Sequence, residues 1–390
     1  MTTMIDLKSS PVFDVHCFAY NDDAMDANAF AGQYAMVATT PPNMSESERI
    51  ATASRQGLST GALKKRIKDI AGYLGTEPTL DAVVAERERR RKADFSGYVA
   101  GMLDDQAIKG LGVDNALGTL EDIDTFNEGY PGFIKKVFRL TTLVRDLLES
   151  STSFDALIAD YDAAMTNAVR DHGVVAFKSI IAYRTGLNIE VVSEGDASAA
   201  FARRKDEPAW FGYRVKELRD FLIRRAVLNS IKLDTMVMIH TGLGDSDIVA
   251  KDCNPINLWA LLKNDDTMAC KTMLIHGGFP YTDEATYMAS VLPNLYFDLS
   301  AGTGPAFLEK AVGPERFKDI LRSVPNEKIM YSSDAGEGGP ETMWHDCLTA
   351  KHALGTALGT MVDEGYYTSA EAKAAGEDAL YNNAARVFGF

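Results

Sequence analysis

Three short apolar runs, each closed by a polar side chain, constrain this chain more than any other feature. MVMIHTGLGD (236–245) ends its apolar part at His240, KTMLIHGGFP (271–280) at His276, and EKIMYSSD (327–334) ends at Asp334. Runs of four to six apolar residues suit buried strands better than helices. Thirty-six residues separate His240 from His276, which is room for one strand–helix unit. A parallel barrel builds one shared site from acid–base and metal-capable groups at the C-terminal ends of its strands. The expected fold is therefore α/β, a (β/α)8 TIM barrel whose other strands must come from the rest of the chain.

They appear in order. PVFDVHCF (11–18) reads as strand one with His16 near its end, and FSGYVAGML (95–103) as strand two. IKKVFRL (134–140) reads as strand three with Arg139 near its end, GVVAFKSI (173–180) as strand four, and LYFDL (295–299) as strand seven. Lys178 stands out on the apolar fourth strand. Between strands one and two, about 20–92 reads as a helical insertion over the barrel mouth. Ser45 with Glu48 three residues on is a capping box. Leu63–Leu74 and Leu80–Lys92 have helical character, and the closing ERERRRK reads as a solvated charged face. Further helices are expected at Glu207–Ser230, Phe307–Val324, Glu341–Leu358 and Ser369–Val387. Residues 1–390 thus read as a single barrel domain carrying one helical insertion.

Composition narrows the partners. With 40 basic and 55 acidic residues the net charge is −15, which argues against nucleic acid or an anionic membrane surface as the main partner. No apolar run approaches spanning length, and MTTMIDLKSS lacks a basic region followed by an apolar one, so no membrane role is expected. Cys17, Cys253, Cys270 and Cys347 are scattered with no C-x-x-C pair, and a reducing cytoplasm is the expected compartment.

His16, Lys178, His240, His276 and Asp334 fall at the ends of strands one, four, five, six and eight. Imidazole and carboxylate ligands hold a divalent cation, which lowers the pKa of a bound water. A lysine ligates only when it is deprotonated or converted to a carbamate. Each residue alone has a plainer reading. A single strand-end histidine is commonly hydrogen-bonded structure, Asp334 before Gly336 could cap a helix, and Lys178 could be a counter-ion for Asp14 or Asp334. Convergence from five segments is much harder to explain by packing.

On these residues the chain resembles the amidohydrolase superfamily. The nearer likeness is to the amidohydrolase-related branch that includes the domain fused to glutamine synthetase in fungal and plant nodulin-like proteins. The matching text is DVHCF (14–18), FKSIIAYRTGL (177–187), IHTGLGDSD (239–247), IHGGFPYTDEATYMASVLPNLYFDLS (275–300), IMYSSDAGEGGPE (329–341) and YNNAARVFG (381–389). The resemblance implies a (β/α)8 barrel with one or two divalent metals and a hydrolytic or, in some branches, decarboxylating reaction. It also implies His-x-His on strand one, where this chain has Phe18 in the second place. That loss favours a single ion, zinc or manganese, on Lys178, His240 and His276, helped by His16 and Asp334, with a carbamate on Lys178 as one form of the site. Asp334 and His276 are the expected catalytic residues. Arg184 and Arg139 are expected to bind a substrate carboxylate, and Tyr281 and Trp344 to line an apolar pocket. The expected activity is hydrolysis of a C–N bond (amide, lactam or cyclic amide) in a small carboxylate-bearing molecule. A non-oxidative decarboxylase or C–C lyase, and a non-catalytic binding barrel, are the alternatives. Barrel enzymes of this size often pair, so a homodimer is the expected assembly.

Overall fold

The computed structural model describes residues 3–32, 34, 43–209, 212–245, 247–300, 313–336 and 339–390. Eight strands follow one another in sheet order: β1 Val12–Cys17, β2 Ile108–Asp114, β3 Phe133–Arg139, β4 Val174–Ser179, β5 Met236–His240, β6 Lys271–Ile275, β7 Leu295–Asp298 and β8 Ile329–Met330. Each pairs in parallel with the next. The ring closes beyond the short β8, where the Val15 N–H donates to the Tyr331 carbonyl (3.1 Å) and the Asp334 N–H to the His16 carbonyl (3.0 Å). The expected barrel is the observed one.

Strand alternation decides what faces the lumen. Val137, Ala176, Met236, Met238 and Met273 pack together inside, while Leu111, Val113, Phe177, Val237, Ile239 and Phe297 pack outward with the helices. Side chains two apart share a face. Arg139, Lys178 and His240 therefore continue the inner rows above Val137, Ala176 and Met238. Asp114 and Asp298, next to outward Val113 and Phe297, also fall on the inner face. His276 comes one residue after inward Ile275, so alternation alone would send it out. A left-handed backbone at His276 (φ 70°), followed by Gly277 (φ 48°) and Gly278 (φ 68°), redirects it.

Strand two lies further along than the sequence reading put it. Residues 95–103 belong to a helix, because Tyr98, Val99, Met102 and Leu103 are buried at helical spacing in Leu80–Asp105, which kinks at Asp94. The true strand, IKGLGVD, carries two glycines that weaken any sequence signal for a strand. Gly112 is required there, since a Cβ would stand 2.3 Å from the Val15 carbonyl oxygen.

Helices α1 Ala27–Gly32, α2 Glu46–Leu58, α3 Gly61–Leu74 and α4 Leu80–Asp105 form a cap between β1 and β2. Ser45 and Glu48 make the expected capping box. The cap has its own core of Phe30, Leu63, Ile67, Ile70, Val83, Tyr98 and Met102, which closes on Trp344 of the Pro340–Asp363 helix. The ERERRRK run is not all solvated. Arg87 is fully buried and its Nε donates to Glu341 Oε1 at 2.8 Å, tying the cap to the segment after Asp334. The helix expected from Glu207 starts at Lys216, after a small antiparallel ribbon that pairs Pro208–Ala209 with Gly212–Tyr213. Of the helix expected over Phe307–Val324, 307–312 lie outside the described residues, and Pro314–Ser323 is helical.

Candidate active site

All eight strands deliver a polar group to the same end of the barrel. In ring order these are His16, Asp114, Arg139, Lys178, His240, His276, Asp298 and Asp334; six of them are at most 3 % exposed, and the other two, Arg139 and Asp334, are paired within the ring. The sequence reading placed six of the eight and missed Asp114 and Asp298. Asp114 was lost with the misplaced second strand. Asp298 was visible as the polar end of LYFD, a signal of the same kind as His240 closing MVMIH.

The structure brings four of the five expected ligands into direct contact. His240 Nδ1 and His276 Nε2 are 3.0 Å apart, and His276 Nε2 is 3.8 Å from Asp334 Oδ2. Asp334 Oδ1 lies 3.0 Å from His16 Nδ1. The other nitrogen of His16, Nε2, is 3.1 Å from Asp114 Oδ2. Lys178 completes the group as a buried amine on β4, close enough that its charge acts on His16, His240, His276 and Asp334.

Burial sets the protonation states. It pushes His276 down to about 4, and it pushes His240 well below the ordinary imidazole value, with His276 and Lys178 adding to the effect. Both rings are therefore neutral near pH 7, the form that carries a lone pair for a metal. Burial alone would raise the Asp334 carboxyl, but His276, His16 and Lys178 hold it below the usual carboxylate range. Burial lowers Lys178 to about 8 against the pull of Asp334 and Asp114. A lysine so placed is still mostly an ammonium at pH 7 but gives up its proton far more readily than an exposed one.

Among the described residues, no three His, Cys, Asp or Glu side chains stand as a ready-made metal-holding group. The donors lie against one another instead. Their spacing still suits an ion: ligands about 2.0–2.2 Å from a tetrahedral zinc stand roughly 3.3–3.6 Å apart, and the observed 3.0 and 3.8 Å bracket that range. The two neutral imidazoles and the anionic carboxylate, through His240 Nδ1, His276 Nε2 and Asp334 Oδ2, are donors of the kind that fit a divalent cation.

The other candidates are placed differently. Arg139 donates to Asp114 through Nε (3.1 Å) and Nη2 (2.5 Å), so it is engaged by the ring itself. Its guanidinium also lies 5.3 Å from the centre of the Phe18 ring, and Phe18 packs edge-on against His16. Arg184 is nearly buried, 3.7 Å from Asp247. Tyr281 donates to the Ala250 carbonyl (3.1 Å). Trp344 belongs to the core of the cap, and its Nε1 donates to Asp105 (2.8 Å). Tyr183, which was not singled out in sequence, packs its ring 4.6 Å from that of His240.

Fold and site together define a parallel (β/α)8 barrel whose polar groups gather at the C-terminal strand ends. Within that class the chain is similar in sequence to the amidohydrolases, as its motifs anticipated. The amidohydrolase family model matches residues 207–390, the half that carries His240, His276 and Asp334. Protein fluG of Emericella nidulans is 28% identical over 377 residues, covering 88% of this chain and 42% of that protein. The chain thus spans about two fifths of the length of that relative. The barrel is similar to that of a presumed metal-dependent hydrolase from Lactobacillus casei (TM-score 0.82, 23% identity, 99% and 98% of the two chains). It is also similar to a uronate isomerase from Thermotoga maritima (TM-score 0.71, 14% identity, 98% and 95%). No described helix is long and apolar enough to cross a membrane.

Proposed function

We propose that the chain is a metal-dependent hydrolase that opens a C–N bond, in an amide, lactam or cyclic amide, of a small carboxylate-bearing molecule. The observation that supports this most is the buried run of contacts from His240 through His276 and Asp334 to His16. A divalent cation such as zinc or manganese would polarise the substrate carbonyl and make a water acidic enough to ionise near neutral pH. His240, His276 and Asp334 would hold it, with His16 and Lys178 (amine or carbamate) completing the set. Asp334, kept anionic with His16 and Lys178 beside it, takes the proton from the attacking water and returns it to the leaving nitrogen. So weak a base suits only a water whose own pKa has been lowered. Arg184 anchors the substrate carboxylate. Its 3.7 Å pairing with the half-exposed Asp247 is loose enough to exchange for a closer fork-like one. All four cysteines are unpaired, in keeping with a reducing cytoplasm.

The test is turnover of a panel of carboxylated amides and lactams in ¹⁸O-water by protein of measured metal content. Hydrolysis puts solvent oxygen into the acid product. The Asp334→Asn variant should keep its fold and lose about 10²–10⁴ in rate. Carbon dioxide release without solvent oxygen in the organic product would point to the decarboxylase reading instead. A protein that takes up no zinc or manganese, and whose ligand binding survives His240→Ala, would be a binding barrel.

A further inference from the structure

His276 is held from three sides by groups that play no part in the mechanism above. Its backbone N–H donates to Asp298 Oδ2 (3.1 Å), its ring Nδ1 lies 2.9 Å from Ser300 Oγ, and its carbonyl accepts from Arg316 Nη2 (2.9 Å). All three residues are buried. The direction of the hydrogen bonds follows from counting donors. Asp298 Oδ1 accepts from the Ser300 N–H (2.5 Å) and from Ser332 Oγ (2.7 Å). Asp298 Oδ2 accepts from the His276 N–H and lies 2.8 Å from Ser300 Oγ.

A carboxylate has about four lone-pair sites and no proton to give. Four donors from three residues fill those sites on Asp298, so the Ser300 hydroxyl spends its single proton there. What Ser300 turns toward His276 is then a lone pair, and the proton between them belongs to Nδ1 of the imidazole. With Nδ1 protonated, the neutral ring presents Nε2 as its free lone pair, the atom that faces His240 and Asp334.

The backbone needs holding as well. A non-glycine residue at φ 70° is in the left-handed region and is costly unless its surroundings fix it. Arg316 does so by taking the carbonyls of His276 and Gly277 (3.4 Å) together. Its Nη2 packs so close that a Cβ on Gly277 would stand 2.7 Å from it.

We propose that Asp298, Ser300 and Arg316 are positioning residues that lock His276 into the Nδ1–H tautomer and into its left-handed turn, so that Nε2 faces the site as a ready lone pair. The proposal rests on the metal reading of the site for its purpose, though not for its geometry.

Two measurements on the full chain test it. Protein stripped of metal is titrated with Co²⁺ alone and followed by visible absorption. Ser300→Ala, Asp298→Asn and Arg316→Met should each weaken Co²⁺ binding by about 10–100-fold, while Ser300→Thr, which keeps the hydroxyl, should bind within a few-fold of the parent. Long-range ¹H–¹⁵N spectra of histidine-labelled protein should show His276 protonated at Nδ1, and Ser300→Ala should lose that preference. Equal Co²⁺ affinity in all the variants, with only the melting temperature lowered, overturns the proposal, as does an Nε2–H tautomer in the parent. Failure of the parent to bind Co²⁺ would instead sink the metal reading, and the tautomer spectrum would still decide the lock by itself.

Discussion

Replacing Arg87 by Met removes one partner of an ion pair that has no water around it. Arg87 and Glu341 are both fully buried, and their contact is single-pronged, Nε to Oε1 at 2.8 Å. Among the described residues, Arg87 Nη2 and Glu341 Oε2 have no further partner. In the variant, the Glu341 carboxylate would keep only the Tyr98 hydroxyl at 2.9 Å. Stranding one member of a buried pair costs about 3–5 kcal/mol. The imperfect fork argues for the lower end. At about 1.4 kcal/mol per tenfold, 3 kcal/mol raises the population with the cap detached by roughly 150-fold. Native-state hydrogen exchange reads this locally, without requiring the whole barrel to unfold in two states. Amides of α3 and α4 should exchange on the order of 10²-fold faster in Arg87→Met, while those of β5 and β6 stay near parent rates. The double variant Arg87→Met with Glu341→Leu removes both charges and should recover most of the loss. Exchange in α3 and α4 within threefold of the parent, or a double variant no better than the single one, would refute this account of how the cap is held.

Three further outcomes follow from the same geometry. His240→Ala and His276→Ala should each leave a folded protein with far less than one equivalent of zinc by elemental analysis, because each removes one of the neutral imidazoles in contact at 3.0 Å. Gly112→Ala should lower stability by about 1–3 kcal/mol in a thermal melt, since the new methyl group would meet the Val15 carbonyl at 2.3 Å and the backbone would have to shift. In the cap, burial raises Asp69, but His345 and Lys65 outweigh it and hold the carboxyl below its ordinary value. Its stabilising effect is therefore present above the unfolded value near 4 and is lost as pH falls through the folded one. Asp69→Asn should destabilise the cap at pH 7, and by progressively less as the pH falls below 4, as followed by urea titrations across that range.

The sequence revealed most where one signal served two purposes. His240 and His276 close apolar runs that are strands by length and site by chemistry, so fold and candidate ligands were legible together. Strand two failed on both counts. Its inner face needs Gly112 because the β1 backbone approaches too closely for a side chain, and glycine is what a search for strands discounts. Residues 95–103 are apolar enough to be read as a strand, yet their buried positions repeat at helical spacing against the cap core. Losing that strand also hid Asp114, the carboxylate that Arg139 meets in the structure. Arg87 was misread for a related reason: a run of charges looks solvated until its partner, Glu341, is known to arrive from 254 residues away.

The seam of the barrel has a consequence for how the protein matures. The bonds that join its first strand to the chain beyond its last, Val15 to Tyr331 and Asp334 to His16, run through the two residues whose side chains meet at the site. Sealing the cylinder and bringing His16 beside Asp334 thus belong to the same closure, so the late aspartate meets the early histidine only when the last strand docks on the first.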